Sequence, residues 1–180
     1  LESQRVVAHF DEWMLGFGLL HLRKYTPRIA TLFTTHATSI GRSIAGNNKL
    51  LYAYFEGYNG DQMASELSME AKHSIEKQSA HRTHCFTTVS DFTNRECAQL
   101  LDKPADLVLP NGFELDFVPK GAAFTSKRRQ ARQRIFQVAQ ALTGQTFDND
   151  TLIISTSGRN DFRCKGFDVY MEAMKQLNAQ

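Results

Sequence analysis

The chain has 180 residues, of which 42% are hydrophobic, 22% charged and four are proline. This suits one folded domain or slightly more, and it excludes a disordered tail, a collagen-like chain and a disulfide scaffold. Lys and Arg number 21 against 19 Asp and Glu, and the net charge of +2 is too balanced to announce a nucleic-acid partner. The longest nearly unbroken apolar stretch, residues 14–20, falls far short of the roughly 18 residues a membrane span needs. No secretory leader pattern opens the chain. A start at Leu1 rather than Met reads as a piece of something longer.

Residues 6–10 (VVAHF) form the first β-like run. A helix is predicted over 12–24, with Trp13, Phe17, Leu20 and Lys24 three or four apart. Residues 29–35 (IATLFTT) form the second run, followed by His36-Ala37-Thr38 and a helix start near Arg42. Over 61–82 the stripe Met63, Leu67, Ala71 and Ile75 predicts one long helix. Residues 84–89 (HCFTTV) form the third run. Ser90 reads as an N-cap for a helix to about Leu101, with Asp91 in its first turn. Residues 106–109 (DLVL) form the fourth run, and residues 113–121, with Pro119 and Gly121, read as a domain crossing. A helix over 126–142 carries Ala131, Ile135, Val138 and Leu142 on one face, and Gly144 ends it. A fifth run, residues 152–156 (LIIST), precedes a last helix over 166–177.

Strands alternating with helices predict an α/β fold with a mainly parallel sheet. Only one strand and one helix follow Gly144. A lone strand-helix unit cannot bury both of its faces, so this tail either docks on the first sheet or opens a second domain.

Polar residues cluster after each β-like run: Asp11-Glu12, His36 to Arg42, Ser90-Asp91, Asn111-Gly112 and Ser157-Gly158-Arg159. At the carboxyl ends of parallel strands these loops are where ligands bind, although polar turns are also ordinary there. Residues 158–166 (GRNDFRCKG) bring Arg159, Arg163 and Lys165 to a helix start. Cations there can clamp phosphoryl oxygens, or they form a solvated basic loop capped by Asp161. The segment is neither a Walker A loop nor a GxGxxG turn. His36 can bond a sugar hydroxyl or polarise a reacting group, or it is simply satisfied by neighbouring threonines. Arg42 at a helix start opposes the dipole, which an anion or carboxylate nearby would explain.

Other candidates are weaker. His81 and His84 have metal-ligand spacing but no Cys or carboxylate companions. Lys127, Arg128, Arg129, Arg132 and Arg134 fall in the first turns of their predicted helix. They read as a solvated face, or else as a non-catalytic anion- or nucleic-acid-binding surface. Ser90 lacks the GxSxG elbow of a hydrolase nucleophile. Asp11 and Glu12 are adjacent, so they diverge instead of sharing a substrate. Cys85, Cys97 and Cys164 form no CxxC pair and read as reduced thiols of a cytoplasmic protein.

The strings TLFTTHATSIGRSIAG, HCFTTVSDFTNRECAQLL, LVLPNGFELDFVP and SGRNDFRCKGFDVYMEAMKQLN, with FDEWMLG near the start, resemble the eukaryotic-type glycogen synthases of glycosyltransferase family 3. The similarity runs over nearly the whole chain in matching order, and is weakest across 47–68 and 121–151. It implies a Rossmann-like parallel sheet belonging to a two-domain GT-B enzyme. Residues 1–112 would be the later part of the N-terminal domain, 113–150 a connector with the basic helix, and 151–180 the first strand-helix unit of the C-terminal nucleotide-binding domain. The implied activity is retaining transfer of glucose from UDP-glucose to the non-reducing end of an α-1,4-glucan such as glycogen. The incomplete chain would be inactive alone. Arg159 and Lys165 correspond to the pair that holds the departing diphosphate, and His36 to a histidine on the donor sugar. Arg42 corresponds to an arginine near the donor phosphates, and Glu12 and Asn111 to positions near the sugar. The resemblance implies no metal, no cofactor beyond the nucleotide-sugar substrate, no nucleic acid and no membrane. It implies a cytoplasmic protein, and leaves room for a homo-oligomer in the full-length form. Another GT-B nucleotide-sugar glycosyltransferase is the alternative.

Overall fold

The structure, a computed structural model, describes residues 5–163 and 165–179. Cys164 lies outside the described residues. The chain divides into two compact units, one made of Leu1–Asn111 with Gly158–Gln180 and the other of Gly112–Ser157.

The first unit is built on four parallel strands, β1 (Val7–Asp11), β2 (Ala30–Thr35), β3 (Cys85–Thr88) and β4 (Leu107–Val108), in that spatial order. Helices α1 (Gly16–Tyr25), α2 (Ser39–Gly46), α3 (Gly60–Glu66), α4 (Glu70–Arg82) and α5 (Asp91–Leu100) fill the crossovers. Strands added successively in one direction by right-handed crossovers put their helices on one face of the sheet. The core agrees. Phe33 of β2 and Phe86 of β3 stack at 5.8 Å, and Leu19, Ala80, Cys97 and Leu101 from the helical side close over them. A second cluster joins Ile40 and Ile44 of α2 to Met63 and Ala64 of α3 and to Leu100. Between the strands the buried threonines satisfy one another. Thr34 and Thr87 hydroxyls lie 2.7 Å apart, and Thr88 donates to the Thr35 carbonyl at 2.8 Å.

Ser90 caps α5 as expected, accepting from the Thr93 amide. Four expectations change. Residues 152–156 are not a strand of the sheet, because β-prone residues become a strand only where a neighbour offers a ladder. The long helix over 61–82 is two helices, broken where Ser68 turns at φ 55°. The buried face of α4 is therefore not the Ala71–Ile75 stripe but His73, Glu76, Ser79 and Ala80. Near the start, a 3₁₀ turn over Trp13–Leu15 precedes α1, which buries Gly16 and Leu19 and leaves Phe17 exposed. Gly16 is where α1 meets α4: a Cβ there would lie 2.5 Å from Ser79 Oγ and 2.6 Å from Ile75 Cγ2.

The second unit carries α6 (Gly121–Thr143), which ends at Gly144 in the left-handed conformation, φ 72°. It begins earlier than the apolar stripe predicts, so Lys127 to Arg134 lie beyond its first turn and escape the dipole penalty expected there. Arg132 donates to the carbonyls of Asn149 and Thr151 and lies over the Phe136 ring, which stacks on Phe147. The last helix, α7 (Phe167–Asn178), belongs to the first unit. Among the described residues no helix is long and apolar enough to cross a membrane.

Two stability predictions arise from this packing. A Cβ at Gly60 would sit 1.9 Å from the Leu100 carbonyl oxygen, a backbone atom that cannot move aside. Gly60→Ala should cost roughly 1–3 kcal/mol or more, read from urea denaturation. The second concerns acid. Burial pulls the His73 pKa down although its ring bonds Asp61, and Lys77 together with His73 holds the Asp61 carboxyl low. Both groups bind protons more readily when unfolded, so stability falls as pH falls. The His73 contribution disappears first, below about pH 6.5, and the Asp61 contribution below about pH 4. His73→Gln should flatten the decline of the urea midpoint between pH 7 and pH 5, and an unchanged slope would remove the assignment.

Candidate functional site

The site begins where β1 ends. Glu12 holds φ 65° and ψ 161°, a conformation that costs a non-glycine residue about 1–3 kcal/mol. Its amide donates to the Thr34 carbonyl at 2.8 Å, and its carboxylate accepts from the His36 amide at 3.2 Å. The same carboxylate oxygen lies 3.6 Å from the Arg42 guanidinium. That pairing answers the question of why an arginine sits in the first turn of α2. The His36 ring extends from the end of β2 and its Nε2 lies 3.0 Å from Asp11 Oδ1.

Two buried carboxylates shape the turn between β2 and α2. Glu76, fully buried on α4, accepts from Thr35 Oγ1 at 2.7 Å, from the Ser39 amide at 2.7 Å and from Ser39 Oγ at 2.6 Å. Burial pushes its pKa up, the Ser39 and Thr35 donors pull it down, and the Glu12 charge adds to the rise. Glu96 on α5 accepts from Thr38 Oγ1 at 2.9 Å and from the Tyr52 hydroxyl at 2.6 Å. Burial, then the bond to Glu96, pushes the Tyr52 phenol up to about 12. Thr38 is the N-cap of α2, and its hydroxyl also accepts from the Gly41 amide. A Cβ on Gly41 would lie 2.4 Å from that hydroxyl and 2.9 Å from Glu96 Oε2, so only glycine fits there.

Above this frame lies a cavity of about 490 Å³. His36 and Arg42 line it, with Asn111 from beyond β4 and with Arg159, Asp161, Arg163 and Lys165 from the loop before α7. Tyr52 and Glu96 complete its lower wall. The cationic loop is held by its own backbone: Lys165 N donates to the Asp161 carbonyl and Gly166 N to that of Arg163. Gly158 lets the Lys165 stem pass, since a Cβ there would lie 3.3 Å from Lys165 Cγ. Among the described residues, no carboxylate forms an ion pair with Arg159, Arg163 or Lys165. A cavity of this size lined by uncompensated guanidinium and ammonium groups suits an anionic ligand with several oxygens.

Five of the residues singled out in the sequence, His36, Arg42, Asn111, Arg159 and Lys165, thus line one cavity, and Glu12 backs two of them. Lys127, Arg128 and Arg129 belong to α6 of the other unit. His81 bonds the Leu101 carbonyl and His84 Nδ1 accepts from the Thr31 amide. Among the described residues no cluster of three or more His, Cys, Asp or Glu could hold a metal. Glu76, Glu96 and Tyr52 were not anticipated. The available signal was a glutamate in the buried register of a helix, with His73 and Ala80 for Glu76 and with Cys97 and Leu100 for Glu96.

Comparison with known proteins places this geometry in a lineage. Residues 1–180 match the family described as Glycogen synthase. The chain is 34% identical to the glycogen (starch) synthase of Dictyostelium discoideum over 98% of its own length and 20% of that protein's. It is 33% identical to the liver glycogen (starch) synthase of Homo sapiens, over 98% of this chain and 26% of the relative. The glycogen (starch) synthase of Caenorhabditis elegans is 35% identical over 96% and 26%. The chain therefore spans a fifth to about a quarter of the length of these relatives. With a family match over its whole length, this chain belongs to the glycogen synthase family.

Proposed function

We propose that this chain forms part of a retaining glucosyltransferase that moves glucose from a nucleoside diphosphate sugar, UDP-glucose, to the non-reducing end of an α-1,4-glucan. The observation that carries the reading is the single cavity onto which Arg42, Arg159, Arg163 and Lys165 open beside His36 and Asn111. Residues 1–112 then belong to the N-terminal Rossmann-like domain of a GT-B enzyme, 113–150 to its connector and 151–180 to the start of its C-terminal domain. The enzyme works in the cytoplasm.

The chemistry follows from the charges. Transfer breaks the bond between the glucose anomeric carbon and the diphosphate oxygen, and the bonding electrons leave with the diphosphate. Negative charge therefore grows on phosphate oxygens during the reaction. Fixed cations aimed at that position stabilise the transition state more than the ground state. Arg159 and Lys165 take this role, with Arg42 beside them. The acceptor 4-hydroxyl forms the new bond to the anomeric carbon, and its proton is taken up by the released diphosphate or by water. His36, steadied by Asp11, and Asn111 bond sugar hydroxyls and hold the ring. Glu12 fixes Arg42 and the His36 backbone, so that neither group has to reorganise during transfer.

In the full product of the gene, Arg159→Ala or Lys165→Ala should lower glucosyl transfer by about 100- to 1,000-fold with the fold intact by circular dichroism. Near-normal turnover in both variants would remove the diphosphate assignment. Radiolabelled UDP-glucose incorporation into glycogen, with ADP-glucose run alongside, reads the rate and separates this donor from its nearest competitor. The 180-residue chain by itself should incorporate no label, because it carries a fifth to a quarter of the length of its relatives. Turnover by the pure chain would contradict the proposal that the donor pocket needs a second domain.

A further inference from the structure

Beside the cationic cavity lies a second hollow with a different lining. Tyr52, Tyr54, Phe55, Phe92 and Arg95 border two adjoining spaces of about 350 and 170 Å³, with Glu56 at one edge. Tyr52, Tyr54 and Phe92 are each about two-thirds exposed.

Tyr52, Phe55 and Arg95 are held in place. Tyr52 is tied to buried Glu96, its ring lies 6.1 Å from that of Phe55, and the Arg95 guanidinium sits 5.8 Å from the Phe55 ring. Gln99 Nε2 donates to the carbonyls of Tyr58 and Glu56, pinning the 3₁₀ turn Phe55–Gly57 that forms the floor. Rings held in advance lose little freedom on binding.

Tyr52 lines both this cleft and the cationic cavity. We infer that the aromatic cleft is the track for the acceptor, holding glucose units of an α-1,4-glucan whose end projects into the cavity. This rests on the glucosyl-transfer reading above. The chemistry of the lining selects a neutral sugar. A pyranose ring offers a face of C–H bonds to an aromatic ring and presents hydroxyls at its edge. Arg95 and Glu56 stand at the rim to meet such hydroxyls as donor and acceptor. Arg95 is the one cation of this lining and shares it with Glu56, a mixed rim that does not suit a polyanion. The two hollows thus divide the work: one is cationic for the diphosphate, the other mainly aromatic for the polymer.

The test uses the full gene product and two exposed positions outside the core, Tyr54→Ala and Phe92→Ala. Each should raise the Kd for maltoheptaose in calorimetry by about tenfold, and the KM for glucan with it. The KM for UDP-glucose should stay within about twofold, as should all three constants in Tyr25→Ala, an exposed ring elsewhere. Unchanged glucan constants in both variants overturn the inference, and so does an equal loss toward UDP-glucose, which would mark a structural role. If the product transfers no glucose, the functional reading fails and calorimetry still decides the cleft. Maltoheptaose binding that is lost in both variants supports a glucan surface. No binding by the wild type, or binding of oligothymidylate through these rings instead, overturns it.

Discussion

The site depends on one buried carboxylate. Among the described residues Glu76 has no cationic partner, yet it lies fully inside the protein and accepts three hydrogen bonds from Thr35 and Ser39. An unpaired buried charge is expensive, and only short, well-aimed donors offset it. Those donors come from both ends of the turn that carries His36. The turn consequently has little freedom: shifting it would strip bonds from a carboxylate that cannot reach water. A helix remote in sequence thus sets the position of a loop that lines the cavity.

Glu96 repeats the device one layer nearer the cavity. It bonds the cap of α2 through Thr38 and the aromatic cleft through Tyr52. The start of α2 and the Tyr52 ring are therefore tied to one side chain. Below these acids the environment is closed and apolar. Burial, then the charges of Glu76 and Glu96, pushes the Cys97 thiol well above its usual range, so Cys97 packs as a small apolar group and not as a nucleophile. Above them the sign reverses, with Arg42, Arg159, Arg163 and Lys165 around the cavity. Acids underneath hold the framework and cations on top remain available to a ligand. Arg42 is paired with Glu12, while Arg159, Arg163 and Lys165 form no ion pair among the described residues.

Close approach of backbone supports the same frame. Gly16 lets α1 touch α4, Gly60 lets α3 reach the end of α5, and Gly41 lets α2 settle against Thr38 and Glu96. A methyl group at any of the three would push apart helices that carry the buried acids or their partners. The threonines of β2 and β3 add to this. Their branched carbons favour the strand and their hydroxyls bond across it. A sheet so interlocked presents the loops at its carboxyl ends without slack.

The four strands of the sheet were legible as short β-branched and aromatic runs, residue types that pack well on a pleated, buried surface. The cap at Ser90, the stop at Gly144 and the polar loops after β2 and β4 were legible for similarly local reasons. His36, Arg42 and Asn111 stood out as polar groups following β-like runs, and Arg159 and Lys165 as cations gathered at a helix start. The failures share a cause. The run 152–156 has strand composition, but a strand also needs a ladder. The stripe over 61–82 has helical period, but Ser68 breaks it and the buried register turns out to hold His73 and Glu76. Periodicity reports which face is apolar, and it misleads where the core itself is polar. The pairing of Glu76 with the His36 turn and of Glu96 with Tyr52 joins residues 37 to 44 positions apart. No local pattern encodes such pairs, since whether a glutamate is tolerable in a core depends on donors that only the folded chain brings within reach.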